Sequence, residues 1–222
     1  MSNLPNHIGF IVDGNRRWAK ERGLSTLEGH KKGLDLVEEV AEKCFNDGVK
    51  YASFYIFSTE NWERSTEEVS YLMKMVILNV KRLVKRCLKN DVRIAILGSR
   101  ERLSDEVLEA VDSAEIDTKD CKKGVLGICF NYGGRKEIVD AVNRINGEIT
   151  ENSITDSLYH PEIPDLDMLV RTSGEQRISG FMLWRSAYAE LLFIDKYWPD
   201  MTMGDVDELY AEYERRNRRF GK

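Results

Sequence analysis

Short apolar runs alternate along this chain with segments in which apolar residues recur at helical spacing. Residues 8–12 are almost continuously apolar and are followed at once by turn residues, which is typical of a buried strand. In residues 29–47 the apolar positions fall on one face of an amphipathic helix. The same patterns predict further strands at 49–57, 92–97, 125–130, 167–170 and 191–194, and further helices at 67–90, 104–115, 136–146 and 204–218.

This alternation predicts an α/β fold: one domain, residues 1–222, with a central, mostly parallel sheet of about six strands and helices on both faces. A chain of 222 residues suits one full-sized core, and no linker or internal repeat interrupts it. The formal net charge of −5 disfavours a general nucleic-acid binder, so no nucleic-acid partner is expected. Four scattered cysteines, with neither a signal peptide nor a membrane-length apolar run, favour a reduced, cytoplasmic protein.

Four polar clusters each begin where a predicted strand ends. They cover residues 13–17, 58–64, 131–135 and 171–179. Because the carboxyl ends of parallel strands meet at one edge of a sheet, we expect these clusters to converge. Taken singly, most of them are better explained as an ordinary turn or a solvated helix face. Together they combine several arginines with glycines and acids, which favours a phosphate ligand.

The first cluster carries the most specific signal. Asp13 follows the first predicted strand and can hold a divalent cation, while Gly14 and Asn15 suit a tight turn. Asn15 is also expected to cap a helix that begins near Arg16, whose free N–H groups attract anions. With Arg17 alongside, this segment predicts a Mg²⁺-diphosphate site. An aspartyl-phosphate phosphatase is a weaker alternative, since it requires a second aspartate where Asn15 stands.

The motifs of this chain resemble, nearly end to end, those of the cis-prenyltransferase family, which includes undecaprenyl diphosphate synthase. The first is H-I-G-F-I-V-D-G-N-R-R-W-A from His7, and the second is G-H-x-x-G at residues 29–33. The others are Y-x-F-S-T-E-N-W-x-R (55–64), N-Y-G-G-R (131–135), R-T-S-G-E-x-R-I-S (171–179), L-W-x-x-A-Y-A-E-L (183–191) and R-R-F-G (218–221). The chain has no adjacent aspartates, unlike the Asp-rich trans-prenyl synthases.

The resemblance implies a Mg²⁺-dependent enzyme that condenses isopentenyl diphosphate with an allylic diphosphate, such as geranyl or farnesyl diphosphate. The product is a cis-polyprenyl diphosphate, and diphosphate is released. The family usually forms a homodimer and holds the growing chain in an apolar tunnel between the sheet and long helices, such as residues 67–90. The apolar product implies at most peripheral membrane contact. A catalytically silent subunit of a heteromeric prenyltransferase is the alternative.

The resemblance also implies roles for individual residues. Asp13 and Asn61 are the implied catalytic residues, and Asp13 and Glu190 the implied metal residues. The residues implied for the allylic diphosphate are Gly14, Asn15, Arg16, Arg17, Trp18, His30, Ser58 and Arg64. Those implied for isopentenyl diphosphate are Arg171, Arg177 and Ser179. The C-terminal residues 219–221 are expected to reach the partner subunit's site.

The chain departs from the family pattern at a few positions. Thr26 replaces a common arginine and weakens the allylic diphosphate site by one ligand, which the extra charge of Arg16 offsets. Gln176 replaces a common histidine, so a titrating role there is lost. Ile56 and Phe130 are large where long-chain bacterial members often carry alanine. Because extra bulk obstructs a packed tunnel, they predict a product shorter than undecaprenyl.

Overall fold

The computed structural model describes residues 4–216, which contain six strands and seven α-helices. The strands are β1 His7–Ile11, β2 Tyr51–Ser58, β3 Val92–Leu97, β4 Gly124–Tyr132, β5 Met168–Arg171 and β6 Glu190–Phe193. The helices are α1 Asn15–Glu21, α2 Thr26–Asp47, α3 Thr66–Lys89, α4 Asp105–Thr118, α5 Gly134–Arg144, α6 Glu151–Thr155 and α7 Met203–Arg215. Two short 3-10 helices lie at Thr59–Glu63 and Trp198–Asp200.

The six strands form one sheet in the order β3-β4-β2-β1-β5-β6, and every adjacent pair is parallel. This confirms the predicted α/β architecture. Alternate strand residues face opposite sides, as the pleat requires. Phe10 and Phe54 stack at 5.0 Å in a core with residues of α2, α3 and α7. Ile11 and Tyr55 join a second core, which contains Phe181.

The boundaries of several helices differ from the predicted ones. α2 begins three residues earlier than expected because Ser25 and Glu28 form a reciprocal capping box at its N-terminus. The short α6 was not predicted. α7 ends at Arg215, and the C-terminal R-R-F-G motif at 218–221 lies outside the described residues. In the described part of the chain, no helix has the length and apolar character needed to cross a bilayer.

A buried ion pair anchors the segment between β5 and β6. Glu137 of α5 and Arg185 are both almost fully buried, and Arg185 Nη1 donates to Glu137 Oε1 at 2.8 Å. Arg185 also donates to the backbone carbonyls of Tyr159 and Ile163. A buried charge requires such a complete set of partners. The pair therefore fixes the position of the segment that brings Ser179 to the sheet edge.

Candidate active site

A cleft of about 1380 Å³ lies at the carboxyl edge of the sheet. Residues from all four polar clusters line it, so the predicted convergence is confirmed. It contains eleven of the residues that the family resemblance implied: Asp13, Gly14, Asn15, Arg16, Arg17, His30, Ser58, Asn61, Arg64, Arg171 and Ser179. Thr26, Gly133, Gly134 and Arg135 line it as well. It is larger than three other cavities of the described residues, which measure about 560, 110 and 20 Å³.

The central contact of the cleft joins Asp13 to Arg171. Nη2 of Arg171, a buried side chain, donates to Asp13 Oδ2 at 2.8 Å, and its Nη1 donates to Ser179 Oγ at 2.8 Å. Burial raises the pKa of the Asp13 carboxyl, but the hydrogen bond and charge of Arg171 outweigh it, assisted by the Gly14 N–H and Arg17. The net pKa lies below its ordinary value, so Asp13 is an anion at neutral pH.

The D-G-N turn places the acid in the wall of the cleft. Gly14 adopts a left-handed conformation with φ of 105° and directly precedes α1. Its N–H donates to Asp13 Oδ1 at 2.7 Å. The predicted Asn15 cap is wrong, because Asn15 is already the first residue of the helix and its amide donates back to Val12 O. A Cβ at Gly33 would lie 2.2 Å from Asn15 Oδ1, so this glycine lets α2 approach the turn.

Arg17 places a second positive charge in the wall of the cleft. Arg17 Nη2 donates to Ser173 Oγ at 2.6 Å and lies 3.5 Å from Asp13 Oδ2. Its Nη1 pairs with Glu175 at 3.1 Å. Arg17 therefore links the loop after β1 to the loop after β5. Its side chain remains 44% exposed, which leaves it accessible to a ligand in the cleft.

Glu68, in the first turn of α3, contacts three basic side chains of the cleft, those of His30, Arg64 and Arg16. Its Oε1 lies 3.0 Å from His30 Nε2 and accepts from Arg64 Nη1 at 2.9 Å, while Arg16 lies 3.8 Å from Oε2. Burial lowers the pKa of His30 more than the contact with Glu68 raises it, so His30 is neutral at pH 7. Burial raises the pKa of Glu68, but His30 and the two arginines hold it below its ordinary value. Glu68 was not among the predicted site residues; its spacing of four residues from Arg64 was the available signal.

Asn61 lies in the 3-10 helix after β2, the strand that pairs with β1, and it lines the cleft. Its Oδ1 accepts from the Ser58 backbone N–H at 3.1 Å, which fixes the side chain within the loop. Trp62 of the same loop donates to Asn131 Oδ1 at 2.8 Å. This bond ties the loop after β2 to the carboxyl end of β4. The loop is thereby held at one edge of the sheet.

Three expected site residues do not face the cleft within one chain. Trp18 packs outside it and donates to Asp200 Oδ1 at 2.7 Å, so its indole anchors α1. Arg177 is 59% exposed and pairs with Glu175, although its backbone carbonyl accepts from Arg171. Glu190 begins β6 opposite Met168, at the amino edge of the sheet, and pairs with Arg216 at 3.2 Å. Within one chain Glu190 therefore lies apart from the cleft that contains Asp13, and its implied metal role stays a prediction.

An apolar cavity of about 110 Å³ adjoins the cleft and extends between the sheet, α2 and α3. Its position agrees with the tunnel that the resemblance implied. Asn15, His30, Ile56 and Leu72 line both spaces, which places them at the junction. Phe130 is buried in the wall of the deeper cavity, 5.6 Å from the Phe57 ring. The site thus combines a cationic cleft with an apolar extension.

Comparisons with known proteins agree with this arrangement. A family model described as putative undecaprenyl diphosphate synthase matches residues 11–221. The isoprenyl transferase of Chromobacterium violaceum is 47% identical over 222 residues, covering 98% of this chain and 88% of that protein. The isoprenyl transferase of Thermotoga maritima is 42% identical, covering 98% of this chain and 97% of that protein.

Two solved structures are similar over the whole chain. Lavandulyl diphosphate synthase from Lavandula x intermedia, in complex with dimethylallyl diphosphate, superimposes with a TM-score of 0.93 at 30% identity and covers 99% of each chain. A probable undecaprenyl diphosphate synthase from Campylobacter jejuni has a TM-score of 0.85 at 29% identity and covers 100% of each chain. Sequence, fold and cleft thus agree: the chain belongs to the undecaprenyl diphosphate synthase family of isoprenyl transferases, and it is a cis-prenyltransferase.

Proposed function

We propose that this enzyme condenses isopentenyl diphosphate with an allylic diphosphate, such as geranyl or farnesyl diphosphate, and makes a cis-polyprenyl diphosphate. The observation that carries the proposal is the continuity between the cationic cleft and the apolar cavity. A prenyl diphosphate has one strongly anionic end and one hydrocarbon end. The two adjoining spaces match these two ends.

The allylic diphosphate would lie against the wall formed by Arg16, Arg17, His30 and Arg64, with its tail directed into the apolar cavity. Arginine forks in a partly enclosed cleft stabilise the charge that develops when the allylic C–O bond breaks and diphosphate leaves. Gly14, Asn15 and Ser58 complete this wall. The similar lavandulyl diphosphate synthase in complex with dimethylallyl diphosphate supports an allylic diphosphate as one ligand.

Isopentenyl diphosphate would bind Arg171 and Ser179, with Arg177 at the rim of the cleft. This placement holds its double bond against the allylic carbon, where the new carbon–carbon bond forms. The proton that isopentenyl diphosphate then loses would pass to the departing diphosphate close to Asn61, whose side chain is fixed by the Ser58 N–H. The side chain of Arg171 is already held in place by Asp13 and Ser179, so the site is ordered before substrate binds.

Asp13 is the residue that would hold Mg²⁺. Within residues 4–216, no three His, Cys, Asp or Glu side chains are grouped so as to hold a metal by themselves. Mg²⁺ commonly takes one or two carboxylates and completes its shell with substrate phosphates and water, so a single ionised Asp13 fits it. When bound, the ion neutralises charge on the departing diphosphate.

The length of the product would depend on the apolar cavity. Ile56 stands where the cavity joins the cleft, and Phe130 occupies its wall. Replacing both with alanine is expected to lengthen the products by at least one isoprene unit, because it removes bulk from a packed space. Chromatography of dephosphorylated products measures this. An unchanged distribution of product lengths from an active double variant would contradict the role of these residues.

Glu68 would act as a positioning residue for the allylic diphosphate. The Glu68→Ala variant removes the shared acceptor of His30 and Arg64. We expect KM for the allylic substrate to rise about tenfold, the equivalent of one charged hydrogen bond, with kcat nearly unchanged. Steady-state kinetics measures the split. Glu67→Ala, an exposed acid of the same turn, is the matched control, and equal effects in both variants would refute the role.

We also propose that the enzyme forms a homodimer through the β6 edge. β6 is the last strand of the sheet, and its Leu191 and Phe193 side chains are 39% and 36% exposed. Tyr188 nearby is 68% exposed. An edge strand with exposed apolar side chains is normally covered. Sedimentation equilibrium should give twice the mass of the chain, and the mass of a single chain would exclude the dimer.

The direct test of the proposed activity is incorporation of labelled isopentenyl diphosphate. Purified enzyme is supplied with MgCl₂ and with dimethylallyl, geranyl or farnesyl diphosphate in parallel. We expect label in a prenyl chain with at least one starter, and its loss when EDTA removes the metal. If folded protein incorporates no label with any starter, the catalytically silent subunit becomes the better account.

A further inference from the structure

The apolar cavity between α2, α3 and the sheet ends at a charged residue. Glu38 of α2 lines the 110 Å³ cavity and is only 5% exposed. Beyond it lies a second, smaller cavity of about 20 Å³, whose walls include Phe45, Cys87 and Leu126. Glu38 and Leu83 line both spaces. These two side chains therefore form the partition between the two cavities.

Two arginines of α3 hold the Glu38 carboxylate in place. Arg82 donates to Oε1 through Nε at 3.2 Å and Nη2 at 2.8 Å. Arg86 Nη1 donates to Oε2 at 3.1 Å. Each arginine also pairs with a further acid on α2: Arg82 with Asp35 and Arg86 with Glu42. Both oxygens of Glu38 are thus engaged, and the two arginines lie one helical turn apart.

Displacing this partition is unfavourable. If Glu38 swung aside, a buried carboxylate would lose its partners, which costs far more than moving an apolar side chain. The arginines reach solvent, since Arg82 is 49% and Arg86 35% exposed, so they do not need Glu38 for their own solvation. The free-energy cost of displacing the partition therefore falls chiefly on Glu38. A hydrocarbon chain that grows along the cavity meets a fixed polar end.

The cavity is also small for a long product. Pockets that enclose a small molecule usually measure at least about 300 Å³. A space of 110 Å³ must therefore widen as a chain extends into it. The ion pairs between α2 and α3 oppose that widening where Glu38 stands, because separating the helices would pull the carboxylate from its two arginines.

We propose that Glu38, locked by Arg82 and Arg86 and backed by Leu83, determines where chain growth stops in this enzyme. This inference rests on the proposed function, because it requires the cavity to receive the growing chain. It names a second determinant of product length, the partition between the two cavities, beside the bulky residues Ile56 and Phe130. Removing the partition should join the two cavities and admit a longer chain.

The test is the product distribution of Glu38→Ala compared with the wild type, at saturating starter and isopentenyl diphosphate. We expect the main product to be longer by at least one isoprene unit. Glu38→Gln keeps the volume of the side chain but removes the charge that Arg82 and Arg86 hold, so it should lengthen the product less than Glu38→Ala does. Asp35→Ala removes an outer acid that pairs with Arg82 but lines neither cavity, so it is the matched control with an unchanged distribution.

Leu83→Ala provides an independent opening of the same partition and should also lengthen the product. Leu83→Ala serves as the test of the partition if circular dichroism shows that Glu38→Ala does not fold. If the wild type elongates the starter and the folded Glu38→Ala and Leu83→Ala variants still make products of wild-type length, the inference is overturned and the proposed function stands. A wild type that incorporates no isopentenyl diphosphate would instead refute the proposed function.

Discussion

Replacing Asp13 with alanine is expected to reduce isoprenyl transfer by at least about 10²–10³-fold, the usual cost of losing one preorganised charge-stabilising group. Asp13 accepts from Arg171 and from the Gly14 N–H, and it lies 3.5 Å from Arg17. It is also the residue proposed to hold Mg²⁺. The substitution therefore removes the metal ligand and releases the arginines on both sides of the cleft.

Initial rates of isopentenyl diphosphate incorporation measure this loss, and thermal unfolding checks that the variant is folded. Asp13→Asn keeps the size of the side chain but removes its charge, and it should be nearly as inactive. Glu63→Ala, an exposed acid in the loop after β2 that does not line the cleft, is the control that should retain activity. Activity of folded Asp13→Ala within tenfold of the wild type would contradict the role of Asp13.

The Arg171→Lys variant is expected to lose about 10²-fold in kcat/KM for isopentenyl diphosphate, similar to the loss of one oriented donor. Arg171 donates at once to Asp13, to Ser179 and to the Arg177 carbonyl. A lysine ammonium is a single point charge on a flexible chain and cannot reproduce this fork. The loss should appear mainly as a raised KM for isopentenyl diphosphate.

The same variant should shift the pH dependence in a definite direction. Burial raises the pKa of Asp13, and Arg171 is the main group that lowers it again. Without the guanidinium, Asp13 takes up its proton at a higher pH, so the acid limb of the kcat/KM profile moves to higher pH. Arg22→Lys, which alters an exposed arginine paired with Asp200, should leave the profile unchanged. An unshifted acid limb in Arg171→Lys would show that Arg171 does not control the ionisation of Asp13.

Much of the fold could be predicted from the sequence because its strands are buried on both faces and read as apolar runs. The parallel sheet and the convergence of four polar clusters followed from strand–helix alternation. The strand order could not be predicted, since periodicity carries no information about neighbours. The Asn15 cap was wrong for a local reason: Gly14 adopts the left-handed conformation directly before the helix, which leaves Asn15 inside it.

The site was predictable where residues end a strand or closely follow one, as Arg171 and Asp13 do. Glu68 was missed because nothing in the sequence shows that the first turn of α3 faces His30. Glu190 precedes a predicted strand, and its implied metal role stays a prediction. In a parallel sheet a residue before a strand lies at the opposite edge, and the register with Met168 places it there. Trp18 faces away because α1 is anchored by Asp200.

The most direct test of the central claim is a crystal structure of the enzyme with Mg²⁺, isopentenyl diphosphate and a thiolo-diphosphate analogue of the allylic substrate. We predict one diphosphate against Arg16, Arg17, His30 and Arg64, with its tail in the apolar cavity. The second diphosphate should contact Arg171 and Ser179, with the metal bound to Asp13. Substrates bound elsewhere on the molecule, or an allylic tail directed away from the cavity towards solvent, would contradict this account of the site.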